Sequence, residues 1–274
     1  MIEIEQVHFR YPNGVHALRG VSLSLTRGCV CLLGHNGAGK TTLFRHLNGL
    51  LKPSQGRVMV AGRDTGEHRA AQLASTVGLA FQNPDSQLFQ DRVGDEVRFG
   101  ARNGVQEHGD EGAMTEWAMD LMGLHGLAEQ NPYDLLLPER KRVAVASVLA
   151  MDTPAVVLDE PTGGQDAEGV ELLGRAVDEL LSRDKLVVVA THDIEFAAVH
   201  ADQVVVMSNG QVVRRGSPED AFGDEDALRA AGVAPPSVTR LADALGAEQT
   251  IVSDDGFLRW LSGQVAEVEA RGEV

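Results

Sequence analysis

The sequence CVCLLGHNGAGKTTLF, residues 29–44, places an apolar run, a glycine-rich loop and a helical pattern directly one after another. Its central part, from Gly34 to Thr41, fits the pattern G-x-x-x-x-G-K-[ST] in the required context, after a strand and before a helix. The glycines let successive backbone N–H groups turn toward one point, and the following helix directs its N-terminus there. The stretch therefore predicts a phosphate-binding loop in an α/β fold.

Two side chains of this loop are suited to a nucleotide. We expect the ammonium group of Lys40 to reach the β- and γ-phosphates, and the hydroxyl of Thr41 to bind Mg²⁺. The alternative is a glycine-rich strand-to-helix turn with an unrelated lysine, and the complete context argues against it. Kinases, GTPases, motors and transporters share such a loop, so the rest of the chain has to identify the reaction.

A second candidate group follows the apolar run AVVL, which precedes Asp159 and Glu160. A helical pattern at 167–182 and another apolar run at 186–190 complete a strand-helix-strand unit, which predicts parallel strands buried on both faces. Such strands end at one edge of the sheet, where ligands bind in open α/β folds. We expect Asp159 to hold Mg²⁺, directly or through water, and Glu160 to polarise an attacking water. His192 follows the second strand, so its imidazole is expected at the same edge, facing the γ-phosphate.

The chain divides into segments of different periodicity. Residues 1–27 alternate between apolar and polar side chains around a Tyr-Pro-Asn-Gly turn, which predicts antiparallel strands. Residues 84–151 have a helical periodicity and predict a helical insertion. Its clearest helices are expected at 116–122 and 142–150, and a polar loop is expected at 103–112.

Local signals predict the remaining elements. We expect a helix over 40–50 and a strand over 58–62. The sequence Ser-Asn-Gly between the apolar runs 204–207 and 212–213 predicts a hairpin. Residues 217–274 are acidic, and they predict short helices interrupted by a pair of prolines.

Composition excludes several classes of function. The chain has 274 residues, with 24 Lys and Arg against 40 Asp and Glu, and its net charge of −16 disfavours nucleic-acid binding and electrostatic adhesion to membranes. Cys29 and Cys31 are too few and too close for a disulfide framework or a zinc site, so we expect reduced core residues. No leader pattern and no apolar run near the ~18 residues of a membrane helix is found, so we expect an intracellular, soluble chain.

Taken together, these motifs resemble the nucleotide-binding subunit of an ABC transporter, and the resemblance covers residues 1–216. Tyr11 matches the aromatic residue that stacks on adenine, Gln82 the glutamine that contacts Mg²⁺ and senses the membrane partner, and Asp166 the aspartate of the D-loop. Asp159 and Glu160 match Walker B and the catalytic glutamate, and His192 the switch histidine, which acts beside Lys40. The resemblance implies ATP and Mg²⁺ as ligands, with Thr41, Gln82 and Asp159 at the metal. The residues that it places on ATP are Tyr11, Gly34, Asn36, Gly37, Ala38, Gly39, Lys40, Thr41 and Thr42.

The resemblance also implies an architecture. It is a P-loop NTPase fold with a RecA-like α/β core, an N-terminal antiparallel β-subdomain and an inserted α-helical subdomain at about 84–151. We expect the ABC nucleotide-binding domain at 1–216. A small C-terminal helical extension is expected at 217–274, where it would serve in dimerisation.

Within the family, residues 81–89 (FQNPDSQLF) and 99–103 (FGARN) are similar to the ATPases of energy-coupling-factor importers, which take up cobalt or nickel ions or vitamins. This likeness implies three partners: a second ABC ATPase, a transmembrane coupling subunit and a substrate-binding membrane subunit. It implies a peripheral location on the cytoplasmic face of the cell membrane. It also implies an extension that helps two ATPases associate, and residues 231–239 (AGVAPPSVT) resemble that sequence. The segment QLF at 87–89 is open to two interpretations, core packing or a groove for a coupling helix.

One family motif is altered. The signature LSGGQ should precede Arg-Val-Ala by two residues, and the residues found there are Leu135, Leu136, Leu137, Pro138 and Glu139. The serine that donates to the γ-phosphate of the opposite subunit and both glycines are missing, although Pro138 suits the start of a helix. Gln165 stands where the D-loop usually has Leu. Because each ATP lies between one Walker A and the partner's signature, both sites of a homodimer would be weakened. We therefore favour an asymmetric heterodimer over a homodimer.

Two other functions stay open. An ATP-binding regulatory module would dimerise but hardly hydrolyse, which the altered signature favours and the retained Glu160 and His192 oppose. A soluble ABC ATPase of DNA repair or translation would carry paired cassettes, long coiled coils or basic surfaces, and this acidic chain has none of these features.

Overall fold

The computed structural model describes residues 1–104 and 110–271, so part of the loop predicted at 103–112 lies outside the described residues. The strands are β1 Ile2–Arg10, β2 His16–Leu25, β3 Gly28–Leu33, β4 Gln55–Val60, β5 Arg63–Asp64, β6 Val77–Ala80, β7 Ala155–Asp159, β8 Leu186–Ala190, β9 Gln203–Ser208 and β10 Gln211–Gly216. The α-helices are α1 Lys40–Leu47, α2 Ala70–Leu73, α3 Val93–Arg102, α4 Glu111–Leu121, α5 Leu137–Ala150, α6 Ala167–Ser182, α7 Ile194–His200, α8 Pro218–Phe222, α9 Glu225–Ala231, α10 Ser237–Ala244 and α11 Asp254–Arg271.

The first sheet is antiparallel, with the strand order β2-β1-β4-β5. Ile2 and Ile4 of β1 are buried, while Glu3 between them is exposed. Ile2 pairs with Leu25 of β2 on one side and with Val60 of β4 on the other. The alternation that predicted antiparallel strands therefore faces one side of β1 to the core.

The second sheet has the strand order β10-β9-β3-β8-β7-β6 and is parallel from β9 to β6. The chain order β7, α6, β8 is the predicted strand-helix-strand unit, and Val157 of β7 pairs with Val188 of β8. The hairpin β9-β10 adds the antiparallel edge strand. The predicted α/β fold with a P-loop core is confirmed.

Alternate residues of the parallel strands enter two apolar layers. Val30 and Val188 pack in the layer shared with the first sheet, and Cys31 and Val189 pack in the layer beneath the helices. Both faces of the sheet are buried, as expected for parallel strands. Cys29 lies in the same helical layer as Cys31, and both thiols are free. The hydrogen bond with Cys31, together with burial, raises the pKa of the Cys29 thiol well above its usual range.

The described part of the segment between Gln82 and β7 is helical, and α3 and α4 pack on α5. The predicted bounds of its helices were too short. α4 begins at Glu111 rather than at 116 because the carboxylate of Asp110 accepts the free N–H groups of Gly112 and Ala113. α5 begins at Leu137 rather than at 142, because Pro138 suits the first turn and the carboxylate of Glu139 accepts the N–H of Leu136.

Two further bounds differ from the predictions. α1 ends at Leu47 rather than at 50, since Gly49 has a φ of +73° and turns the chain out of the helix. β4 spans Gln55–Val60, and Ala61 and Gly62, which were expected in this strand, both have positive φ and form the turn into β5.

Four helices, α8 to α11, follow β10. Val238, Ala242 and Ile251 form a small core of their own, against which Phe257 and Trp260 pack. Across residues 1–104 and 110–271, none of the helices combines the length and the apolar character needed to cross a membrane.

Candidate active site

The candidate site lies at the carboxyl edge of three neighbouring strands. β3 leads into the P-loop, β7 ends at Asp159 followed by Glu160, and β8 is followed by Thr191 and His192. The strand order places β8 between β3 and β7, so groups far apart in sequence meet at one edge. This is where an open α/β sheet binds its ligands.

The P-loop follows a path that only glycine allows. Gly34 has a φ of +147°, and a Cβ placed there would lie 2.2 Å from the carbonyl oxygen of Met207. Gly39 has a φ of +107°, and its Cβ would lie 2.7 Å from the carbonyl oxygen of Ala17. The hairpin between β9 and β10 holds the loop from outside, because the N–H of Gly210 donates to a P-loop carbonyl. The N–H groups of the first turn of α1 then face the expected phosphate position without partners in the helix itself.

Lys40 begins α1 and is buried beneath the P-loop. Its ammonium group donates to the carbonyl oxygen of Gly34 at 2.6 Å. The same Nζ atom lies 3.5 Å from Oε1 of Glu160 and 3.5 Å from Nε2 of His192. Lys40 is therefore the cation around which the loop and both catalytic candidates converge.

The carboxylates of Asp159 and Glu160 fit a divalent cation. Both are buried; Oδ1 of Asp159 has no hydrogen-bond partner, and Oε1 of Glu160 has only the ion-pair contacts with Lys40 and His192. Burial raises the pKa of Asp159, against the effect of a hydrogen bond from Thr41 and the nearby charge of Lys40. Carboxylate and hydroxyl oxygens are ligands that Mg²⁺ prefers, so Asp159 and Thr41 suit the metal of a bound nucleotide.

Glu160 and His192 contact each other twice. The N–H of His192 donates to Oε2 of Glu160 at 3.1 Å, and Nε2 lies 3.1 Å from Oε1. Glu160 has a φ of +53°, a rare conformation that turns its side chain toward the P-loop. Nε2 of His192 also lies 2.9 Å from Oδ1 of Asn36, which links the His192 loop to the P-loop.

A cavity of about 420 Å³ is lined by Gln82 and by all of the predicted ATP residues except Gly34. At its adenine end, the hydroxyl of Tyr11 lies 3.1 Å from that of Thr42. Phe9 packs edge-on against Tyr11 and against His46, so the aromatic group rests on α1. A larger cavity of about 740 Å³ lies at the opposite edge, where β3, β8 and β9 begin, far from these residues.

The altered signature occupies the start of α5. Leu135 is buried, whereas Leu136 is 72% exposed and Leu137 is 46% exposed. The carboxylate of Glu139 accepts the N–H of Leu136 at 2.9 Å, and Pro138 is the second helical residue, so the helix has a well-formed N-terminus without any hydroxyl donor.

The altered D-loop lies beside this signature. The side-chain amide of Gln165 donates to the carbonyl oxygen of Pro138 at 3.0 Å. The carboxylate of Asp166 caps α6 by accepting the N–H of Gly169 at 2.8 Å. The structure thus brings together the two segments in which this sequence departs from the family pattern.

Sequence reasoning did not find Lys141. Its ammonium group donates to the carbonyl oxygens of Glu160 at 2.8 Å and of Gly163 at 2.7 Å. Burial lowers its pKa, while the negative charges of Glu160 and Asp159 oppose that effect. Lys141 ties α5 to the loop after β7, and no local pattern in the sequence distinguishes it from its neighbours Arg140 and Arg142.

The segment QLF divides between the two interpretations. Leu88 is buried in the core. Phe89 is 56% exposed and stacks edge-on with Phe99 on α3. Gln87 is inward, and its amide donates to the carbonyl of Ala144 at 2.7 Å. The exposed phenylalanine pair is thus the part of the segment that offers a surface.

Comparison with known proteins gives a family. The model of the ABC transporter family matches residues 18–163. Energy-coupling factor transporter ATP-binding protein EcfA of Methanocaldococcus jannaschii is 36% identical over 261 residues, which cover 94% of this chain and 93% of that protein. A putative ABC transporter ATP-binding protein of Pyrococcus furiosus is 40% identical over 247 residues, which cover 90% of this chain and 94% of that protein.

Solved structures agree with this result. The cbiO1 protein of Clostridium perfringens, part of the ABC transporter complex cbiONQ, is 32% identical with a TM-score of 0.71, over 89% of this chain and 98% of that chain. A dimeric ATP-binding cassette bound to ADP and Pi has a TM-score of 0.73 over 79% of this chain and 98% of that chain, and at 23% identity it supports the fold alone. The chain belongs to the ABC transporter family, as an ATP-binding subunit with ATPase activity.

Proposed function

We propose that this chain is the ATP-hydrolysing half of an asymmetric ATPase pair that powers an importer of the energy-coupling-factor type. The observation that carries the proposal is a contrast within one molecule. Lys40, Asp159 and Glu160 are buried together, and the half-exposed His192 contacts Glu160, whereas the signature position offers Leu136 and no hydroxyl. One half of a composite ATP site is complete, and the other half is altered.

The chemistry assigned to the complete half follows from its contacts. Lys40 holds the β- and γ-phosphates, and Glu160 accepts a proton from the attacking water as the general base. His192, which lies between Glu160 and Asn36, orients the carboxylate and faces the γ-phosphate. Thr41, Asp159 and Gln82 would hold Mg²⁺, which when bound would neutralise charge on the phosphate oxygens. Tyr11 packs on the adenine.

The altered half sets the choice of partner. In the composite arrangement, the start of α5 faces the P-loop of the second subunit. Leu136 there offers an apolar side chain to a γ-phosphate, so two copies of this chain would form two weak sites. A partner with an intact signature would complete the site built on Lys40 and Glu160. We therefore expect one active site and one weakened site per dimer.

The remaining partners and the location are those of the importer type. A transmembrane coupling subunit would dock beside Gln82 and the exposed Phe89, and a separate membrane subunit would bind the solute, a cobalt or nickel ion or a vitamin. Residues 1–216 form the ABC domain, and residues 217–274 form an extension that assists dimerisation. The chain would lie peripherally on the cytoplasmic face of the cell membrane, without a nucleic-acid partner.

ATP turnover tests this proposal. We would measure the turnover of the purified chain alone, then with its companion ATPase and membrane subunit, and compare the wild type with Glu160→Gln. Turnover that appears only in the mixture, and that falls at least ~100-fold in Glu160→Gln with ATP binding intact, is the expected result. Glu168→Gln, an exposed position in α6, is the matched control and should keep full turnover.

Two results would contradict parts of the proposal. Equal turnover by the chain alone, lost in Glu160→Gln, would mean that the segment around Leu136 still acts as a signature. Binding of ATP without turnover in any mixture would favour the second candidate, a regulatory module, which the apolar signature supports.

A further inference from the structure

Residues 231–237 run from the last residue of α9 to the first residue of α10, on the outer side of the nucleotide site. We call this segment the strap. At its first residue, the carbonyl oxygen of Ala231 accepts the N–H of His35 in the P-loop at 2.9 Å. At its last residue, the N–H of Ser237 donates to Oε1 of Glu195 in α7 at 2.9 Å. The strap therefore contacts the P-loop at one end and, at the other end, the helix that follows the His192 loop.

The first end of the strap is firmly anchored. Ala231 is fully buried, and Gly232 ends α9 with a φ of +63°. The hydroxyl of Ser208 donates to the carbonyl oxygen of Ala230 at 2.6 Å, from the hairpin that also holds the P-loop. The carbonyl of Ala231 is thus fixed in place, and the amide of His35 is fixed with it.

The second end meets the loop that carries the switch histidine. Glu195 lies in the first turn of α7, three residues after His192. On the strap side, Pro236 is buried, and Thr239 in the first turn of α10 is also buried. A shift of α7 would therefore be transmitted to the start of α10 through the bond between Ser237 and Glu195.

The two ends of the strap bracket a contact inside the site. Nε2 of His192 and Oδ1 of Asn36 lie 2.9 Å apart and connect the same two loops from within. Outside, the strap connects His35 to Glu195, and its two prolines have a fixed φ, which makes the short segment stiff. Inner and outer links therefore share the task of setting the separation of the two loops.

We propose that the strap positions the P-loop relative to the His192 loop, and that Glu195 is the positioning residue at its second end. The nucleotide site and α10 are then coupled, and by linkage ATP must act on α10 as strongly as α10 acts on ATP. The proposal requires only ATP binding at the P-loop, so it stands apart from the importer type and from the asymmetry of the dimer.

Two substitutions at one exposed position provide the first test. Glu195→Ala removes the acceptor of the Ser237 N–H, whereas Glu195→Gln keeps an oxygen acceptor and removes only the charge. We expect the affinity of the full chain for a fluorescently labelled, non-hydrolysable ATP analogue to fall about three- to tenfold in Glu195→Ala. This is the range expected for the loss of one hydrogen bond. Glu195→Gln should bind like the wild type, and turnover at saturating ATP should be similar in all three proteins.

The outcomes separate the strap from simpler effects. Equal weakening in both variants would mean that the negative charge of Glu195 supports the site, and not its bond to the Ser237 N–H, and it would overturn the proposal. Unchanged affinity in Glu195→Ala would overturn it as well.

Hydrogen exchange provides a second test, which reads the state of α10 directly. With the same ATP analogue, backbone amides of residues 231–245 should exchange more slowly, and Glu195→Ala should lose this protection at α10. Exchange at α10 that is indifferent to the analogue in the wild type would overturn the coupling.

A substitution at the first end extends the test. Ser208→Ala removes the bond to the carbonyl of Ala230 and should weaken analogue binding by a similar factor. Ser217→Ala is the matched control, because its hydroxyl caps α8 without contact to the P-loop. Equal affinities of these two variants would contradict the role given to the first end.

Discussion

The side-chain amide of Gln165 donates to the carbonyl oxygen of Pro138 across 3.0 Å, and this bond joins the altered D-loop to the altered signature. The side chain of leucine, the usual D-loop residue at position 165, has no hydrogen-bond donor. The LSGGQ signature has glycine at position 138, where this chain has Pro138. The two departures therefore form one unit, in which the start of α5 is held by the chain's own D-loop.

Restoring the signature should raise the activity of the chain alone. In the triple variant Leu136→Ser, Leu137→Gly, Pro138→Gly, a hydroxyl donor and a flexible backbone face the opposite P-loop. We expect homodimer turnover to increase by more than about tenfold, because one donor to developing charge contributes ~10²–10³ in rate. Steady-state phosphate release measures it, with the single variant Leu137→Gly as control.

No increase would mean that the signature does not limit hydrolysis. Adding Gln165→Leu then tests whether the bond to residue 138 holds the loop away from the partner.

Lys141 should stabilise the fold and support turnover. Lys141→Met keeps the length of the side chain but leaves the carbonyls of Glu160 and Gly163 without their shared donor. We expect the free energy of unfolding to be about 1–2 kcal/mol lower in Lys141→Met. This is a small value for hydrogen bonds to a charged group, because the ammonium group is only half-buried. Turnover should fall as well, since Lys141 fixes the backbone of Glu160, the proposed general base. Arg175→Met, at an exposed position of α6, should change neither quantity in denaturant titration and ATPase assays.

A methyl group at Gly34 should abolish nucleotide binding. Gly34→Ala places Cβ 2.2 Å from the carbonyl oxygen of Met207, so either the P-loop or the end of β9 must move. Gly62→Ala is the control for backbone strain alone, because φ there is +77° and a Cβ would meet open space. We expect the control to lose about 1 kcal/mol of stability and to bind ATP normally in calorimetry. Normal binding by Gly34→Ala would show that the hairpin does not constrain the loop.

His46 should make stability depend on pH near neutrality. Burial lowers its pKa below the ordinary value of 6.5, so the unfolded chain binds more protons in this range. The contribution of His46 is fully present above that value and is lost as the pH falls through it. In urea titrations from pH 8 to pH 5.5, the free energy of unfolding of His46→Gln should fall less than that of the wild type. Any difference already present at pH 8 measures the lost contacts of the ring with Phe9 and Thr42.

The core of the fold could be predicted because its strands have distinctive neighbours in sequence. β3, β7 and β8 are apolar runs that precede a glycine loop, two carboxylates and a histidine, and parallel pairing then places those groups at one edge. β6 was missed, since Val77–Ala80 is short and follows a polar stretch without a turn signal. The clearest helical pattern of α5 begins only at 142, because three consecutive leucines have no helical period, but Pro138 indicated the start of the helix.

The contacts around the site are harder to obtain from sequence. Gln165 and Pro138 are 27 positions apart, and the His35 amide meets a carbonyl nearly 200 residues later. These bonds use groups that every residue or every glutamine has, so neither periodicity nor a motif indicates them. The candidate catalytic residues can be recognised by their residue types. The residues that hold them in position can be recognised only from where the fold places them.

The position of β3 in the sheet affects how the chain folds during its synthesis on the ribosome. Its neighbours are β8 and β9, so the strand that carries the P-loop finds no sheet partner until about 150 further residues have been made. At ~5–20 residues per second, a ribosome needs roughly 8–30 s for that length. During this interval an apolar strand with two unpaired edges has emerged ahead of both of its sheet partners. Newly made chains should therefore depend on chaperones until β8 and β9, at the beginning of the last third of the sequence, have left the ribosome.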